Sequence, residues 1–271
     1  MSSESRLPVT RRPVPQLIRR LAERRIVGWI LVVVLLLMWQ FSATLAPRPG
    51  LPPLTAIFSE WLAQMQGREL IPALLDTVVT TLLGFSLATV IGVVFGFMMG
   101  RIRIVLALLE PAVELIRQTP VTALFPLLIL FLGIGQQLEV TTIALSATFP
   151  ILMNSYAGAR SVSRTMRLTS KTYKLGWWQT QVEVAIPAAL PFILVGMRQA
   201  LGVSLVLAVV AGMLAGNSGI GYFILQAQQM LDVTALFAGI FSIALVGYLL
   251  NQLFLLADAR LIRWRRHTTD S

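Results

Sequence analysis

Arg160–Arg198 reads RSVSRTMRLTSKTYKLGWWQTQVEVAIPAALPFILVGMR, a basic, amphipathic interruption between two apolar spans. Crossing lipid requires no such element, so the stretch predicts a docking surface on the cytoplasmic side of a membrane. Ser161–Gln181 reads as a polar helical stretch that sets Arg164, Arg167, Lys171 and Lys174 beside Tyr173, Leu175, Trp177 and Trp178. Basic residues mixed with exposed aromatics suit anionic lipid or a groove in a partner protein, and composition leaves both open. Pro187 and Pro191 are expected to turn the chain before Phe192–Gly202 re-enters the membrane.

The rest of the chain supplies the membrane. With 56% hydrophobic residues, 13% charged and a mean hydropathy of +0.77, it exceeds what a soluble core demands. Its 271 residues hold several spans of about 20 residues each, with little left for a soluble enzyme. The net charge of +10 does not mark a nucleic-acid partner, because the basic residues flank apolar runs instead of forming one patch. The absence of cysteine excludes disulfides, thiol catalysis and cysteine metal sites, and the one histidine, His267, lies in the tail. No metal or cofactor is expected on this chain.

Residues 1–25 are polar and arginine-rich, and the apolar run Ile26–Ala46 after them is too long for a signal-peptide core. Beyond the prolines at 47, 49, 52 and 53, Leu54–Leu70 has the pattern of a short amphipathic interfacial helix. Ile71–Gly100 is the next span, with Gly84, Gly92, Gly96 and Gly100 at a spacing that permits close helix contact in lipid. Ile104–Arg117 carries Glu110, Glu114 and Arg117 among leucines, which predicts an interfacial or protein-covered position. Val121–Leu132 continues apolar, Gly133–Glu139 reads as a loop, and Val140–Tyr156, Ile193–Leu214 and Ala235–Ala257 read as further spans.

The fold expected is therefore all-α: a multi-pass membrane protein of about six helices, with a transmembrane domain over 26–258 and a loop at about 158–192. Basic segments at 1–25 and 259–271 flank it. Seven arginines precede the first span, five basic residues lie between Arg160 and Lys174, and only Arg48 and Arg68 fall on the opposite side. The excess of Lys and Arg on one side places both termini and the central loop in the cytoplasm.

LGWWQTQVEVAIPAALPFILVGMRQALG resembles the cytoplasmic signature of binding-protein-dependent ABC importer permeases, with its Leu-Pro-like turn at Ile186 and Pro187. RQTPVTALFPLLILFLGIG (Arg117–Gly135), AGNSGIGYFI (Ala215–Ile224) and LPP (Leu51–Pro53) are similar to segments of the sulfonate, nitrate and taurine branch of that superfamily. The resemblance runs from about Pro47 to the last span. It implies a bacterial inner-membrane subunit that pairs with a second permease subunit, identical or different, and receives solute from a periplasmic binding protein. Two cytoplasmic ATPases, carrying ATP and Mg, would drive it.

In that family the central loop forms a short coupling helix seated in a cleft of the ATPase. Carried over, the coupling residues are Arg167, Leu168, Lys171, Tyr173, Lys174, Leu175, Gly176, Trp177 and Pro187. The family pattern starts with Glu and has Gly a few positions on, whereas here Leu168 stands at the acidic position and Lys174 at the glycine. An altered ATPase cleft and a second permease carrying the standard motif are both compatible with this departure.

The chain has no GxxxxGK[ST] loop, GxSxG elbow or HExxH pair, so ATP hydrolysis is assigned to a separate subunit. For the solute path, Arg117 and Arg198 are the candidate anion contacts, with pairing to Glu114 or Glu183 the competing role. Asn217, Ser218, Gly219 and Gly221 form a candidate outer gate or binding-protein contact, with Met213 a candidate apolar lining beside them. An ion-coupled secondary transporter and a noncatalytic membrane scaffold are the rival readings. The first requires ionisable residues deep in broken helices, and the chain has few.

Overall fold

The computed structural model describes residues 25–67 and 69–261, and the regular elements among them are helical. The basic N-terminal segment before Arg25, the tail beyond Leu261 and Arg68 lie outside the described residues. The chain divides into two compact units, one ending at Phe58 and the other beginning at Ser59.

In the first unit α1 (Arg25–Leu45) exposes apolar side chains all round, the pattern of a helix whose solvent is lipid. The proline-rich turn after it folds back through side-chain hydrogen bonds. Trp39 Nε1 donates to the Pro52 carbonyl at 3.1 Å, and the Gln40 amide exchanges two bonds of 3.3 Å with Thr55 at the start of α2 (Leu54–Gln66).

The second unit is organised by α3 (Leu70–Arg101) and α6 (Gln136–Arg160). A Cβ on Gly84 would stand 2.6 Å from Ile143 Cβ, one on Gly92 2.8 Å from Ile151 Cβ, and one on Gly100 2.5 Å from Ala159 Cβ. At Gly96 it would come within 2.3 Å of the Leu152 carbonyl oxygen. Partner numbers rise in step with the glycines, so the helices run parallel with their backbones in contact. Lipid tails are as apolar as leucine, so such close packing, and not exclusion of water, holds the pair together.

The other face of α6 meets α8 (Trp177–Ala215), which runs antiparallel to it: a Cβ on Gly196 would lie 2.7 Å from Asn154 Cβ, and one on Gly158 2.8 Å from Phe192 Cβ. Covered on two sides, α6 tolerates polar residues. Thr142 and Thr148 donate to the Leu138 and Ala144 carbonyls at 2.8 and 2.7 Å, satisfying their hydroxyls within the helix.

Because α3 and α6 are parallel, the chain must recross between them. It does so through α4 (Arg103–Gln118), which has no buried residue, and the Val121–Leu132 segment that includes α5 (Phe125–Leu132), set at 88° to α4. Among the described residues α1, α3, α8 and α10 (Val233–Leu261) are long and apolar enough to cross a membrane, and the bent pair makes a fifth. On length and composition alone that makes four or five candidate spans, beside the expected count of about six. Helix α6 falls outside that count because of its polar residues, yet it shares the depth of α3 along their whole contact.

One expectation changes. The chain does not turn at Pro187 and Pro191; α8 continues through both. A π-helical stretch at Thr180–Ala185 directly precedes Pro187, and this widening accommodates a proline that lacks an N–H and crowds the carbonyl four residues back. After α8, Gly219–Gln229 forms helix α9. Its Ile220, Phe223 and Ile224 pack with Leu70 and Leu74 of α3 in a buried apolar cluster.

Between α6 and α8 lies α7 (Arg164–Thr172). Ser163 opens it, its Oγ accepting the Met166 N–H at 3.2 Å. Lys174 closes it with φ +53°, while the Lys174 and Leu175 N–H groups bond the Lys171 and Ser170 carbonyls at 3.0 Å each. This is the left-handed helix end that glycine ordinarily fills.

Two outcomes follow from this geometry. Gly96→Val should destabilise the α3–α6 pair by at least about 1–3 kcal/mol and lower the yield and melting temperature of detergent-solubilised protein. Gly28→Val in α1, where a Cβ meets nothing within 4 Å, should leave both unchanged. Lys174→Gly should raise thermal stability by roughly 0.5–1 kcal/mol by relieving a left-handed backbone, and Lys174→Val should lower it.

Candidate functional site

The nine candidate coupling residues fall together, at the end of the bundle where α3 and α6 terminate. Arg167, Leu168 and Lys171 are exposed on α7, and Ser170 is its one buried residue. Tyr173, Lys174 and Leu175 form the left-handed turn. Gly176, whose N–H donates to Gln179 Oε1 at 3.0 Å, starts α8 with Trp177 and Trp178 stacked edge to face at 4.8 Å. Tyr173 and Trp178 are 75% and 73% exposed, a large aromatic surface to leave uncovered beside four basic residues.

This surface is anchored to the bundle. Arg101, the last residue of α3, donates from Nε to Gln181 Oε1 in the π-helical stretch at 2.6 Å and from Nη1 to the Ala159 carbonyl of α6 at 3.5 Å. Arg167 Nε bonds the Val162 carbonyl at 3.2 Å, folding α7 against the end of α6. A cavity of about 1000 Å³ lies between α7 and α8, lined by Thr165, Thr169 and Tyr173 on one side and Pro187, Phe192 and Asn154 on the other. Pro187, grouped with the coupling residues on sequence, thus lines this cavity within a continuous helix.

At the opposite end, Ser218 Oγ donates to Asp76 Oδ2 at 2.7 Å and the Ile220 N–H donates to Thr77 Oγ1 at 2.8 Å, tying the turn before α9 to α3. Gly219 has φ +82°, which a side chain would strain, and Asn217 is exposed beside it. Gly221 is there for packing: a Cβ would come within 2.3 Å of the Val209 carbonyl. Met213 packs on the buried apolar cluster of α3 and α9. Sequence reading had not marked Glu139, which is only 5% exposed; among the described residues its Oε1 has no hydrogen-bond partner, and it faces Gly216, where a Cβ would stand 2.8 Å away.

The two candidate arginines have separate settings. Arg117 forms an i,i+3 ion pair with Glu114 at 2.8 Å on the exposed helix α4, the competing role foreseen for it. Arg198 pairs with neither Glu114 nor Glu183: its Nε donates to Asn251 Oδ1 of α10 at 3.2 Å, beside a cavity of about 220 Å³ that Gly202 and Gly247 leave open. Among the described residues no cluster of His, Cys, Asp and Glu is arranged to hold a metal ion. Sequence reading also passed over Asn154, which donates to the Pro150 carbonyl at 2.8 Å and to Gln199 Oε1 at 3.3 Å. The available signal was an uncharged amide inside an apolar run.

Residues 88–266 match the family described as the binding-protein-dependent transport system inner membrane component. The permease protein SsuC of Bacillus subtilis, assigned to aliphatic sulfonates transport, is 32% identical over 259 residues, covering 92% of each chain. The taurine transport system permease protein TauC of Escherichia coli is 31% identical over 183 residues, 68% of this chain and 66% of that one. Among solved structures, an inward-facing conformation of the MetNI methionine ABC transporter superposes with a TM-score of 0.60 at 18% identity, over 72% of this chain and 94% of its own, a likeness of fold. A bundle that is helical throughout its described regular elements, with a basic, aromatic surface at one end, and this family match over most of the chain identify it as a membrane permease subunit of the binding-protein-dependent ABC importers.

Proposed function

We propose that α7 and the turn after it are the coupling element, seated in a cleft of a cytoplasmic ATPase, and that the chain pairs with a second permease subunit to enclose the solute path. The observation that carries this is the exposed set Arg167, Leu168 and Lys171 on a short capped helix, with Tyr173 in the turn that closes it and the start of α8 bonded through Gln181 to Arg101. ATP and Mg belong to the ATPases. Closure of two ATPase subunits pushes α7, tilts α6 and α8 with it, and switches the path between its two openings. A periplasmic binding protein delivers solute to the end bearing the Asn217–Gly219 turn, which acts as an outer gate latched by Asp76. This places both termini in the cytoplasm.

The solute is a small organic or inorganic anion, such as a sulfonate, taurine or nitrate. The kinship with permeases named for sulfonate and taurine transport supports this class.

Charge reversal at Arg167 and Lys171 (Arg167→Glu, Lys171→Glu) should weaken co-purification of the ATPase by about tenfold or more, with membrane insertion intact. Pull-down from solubilised membranes, with the membrane-embedded amount as reference, makes the measurement. Undiminished pull-down and undiminished uptake would remove α7 from the coupling role.

A further inference from the structure

Helix α8 carries a polar group at a depth where the bilayer offers it nothing. From Ile186 to Gln199 the helix rises about 20 Å, and from Gln199 to Ala215 about 24 Å more, against a hydrocarbon core of about 30 Å. Gln199 therefore sits well inside the apolar layer, and its side chain is exposed. Its Oε1 accepts from Asn154 Nδ2 at 3.3 Å, while its own NH2 group makes no hydrogen bond among the described residues. Exposure of an amide donor to hydrocarbon is unfavourable, and irregular or polar surface at that depth is tolerated where it meets water or protein.

Asn154 lines the cavity of about 1000 Å³ that runs to the turn after α7, so the hydrogen-bond partner of Gln199 borders a space that reaches the exposed end of the bundle. The neighbouring Arg198 is turned to Asn251 of α10. Of these adjacent positions, the cation already has an amide partner on a neighbouring helix, and the Gln199 NH2 has none among the described residues.

We propose that Asn154 and Gln199 form an uncharged hydrogen-bonding station on the water-filled solute path, where the Gln199 NH2 donates to oxygen atoms of a small oxyanion. Neutral donors can direct such a solute without trapping it, as passage requires binding weak enough to leave. The inference rests on the permease reading above.

Because the chain contains no cysteine, Gln199→Cys introduces a single thiol. In membranes, a charged, membrane-impermeant thiosulfonate should modify it at least about tenfold faster than Val90→Cys, since the reactive thiolate forms in water and not in lipid. Val90 is 63% exposed on α3 and serves as the lipid-facing reference. Asn154→Cys should react like Gln199→Cys, which guards against one variant misfolding.

In proteoliposomes with ATPase and binding protein, Gln199→Leu should cut uptake of labelled ethanesulfonate, taurine or nitrate at least about fivefold while stimulated ATP hydrolysis persists, and Gln199→Asn should recover part of it. Modification as slow as at Val90→Cys, or unchanged uptake in Gln199→Leu beside a working ATPase, overturns the station and leaves the permease reading standing. A wild-type complex with no ATP-driven uptake of any of the three probes overturns the anion class and the station with it.

Discussion

The backbone contact between α3 and α6 is the constraint on which the other features depend. Four glycines remove the side chains that would hold the helices apart, and the contact fixes α6 parallel to α3 at a common depth. Parallel neighbours need an intervening crossing, so the bent α4–α5 segment is a topological consequence of the contact. Contact on one face of α6 and the α8 packing on the other bury most of its surface. A helix so placed can carry Thr142, Thr148 and Ser155 without presenting them to lipid, which is why its hydropathy falls below that of a lone span.

Much of this arrangement was legible in the sequence, and the rest was hidden for identifiable reasons. The long apolar runs, the α3 glycines and the capped basic segment all report local needs: burial in lipid, close approach and exposure. The departure at Lys174 was legible too, since a position where a glycine is expected is one where the backbone takes a positive φ, and Lys174 does. Proline misled at 187 and 191, because the rule that proline ends a helix assumes regular α geometry, and the π-helical stretch upstream suspends it. Helix α9 went unmarked because its glycines break the apolar pattern, and their packing on α3 and α8 is a tertiary property.

Facing was the least legible property. Arg198 and Gln199 are consecutive, and composition favours the charge as the solute contact. Only the phase of α8 against its neighbours turns Arg198 to Asn251 and leaves Gln199 beside Asn154. The same holds for Glu139, whose burial against Gly216 depends on where the first turn of α6 meets the end of α8.

Transmission of a push from α7 requires that the element not simply fray, and the structure meets that requirement by covalent shortness and hydrogen bonding, not by burial. The helix is nine residues long and almost wholly exposed, so apolar packing contributes little to holding it. Its ends do the holding: Ser163 caps the start, the left-handed turn at Lys174 satisfies the final carbonyls, and Arg167 reaches back to Val162. Beyond the turn, Gln181 receives the Arg101 guanidinium, which also bonds the Ala159 carbonyl, so the ends of α3 and α6 and the π-helical stretch of α8 meet at one side chain. In the coupling role proposed for α7, a displacement of that helix would reach α6 and α8 together, the helices that carry Asn154 and Gln199.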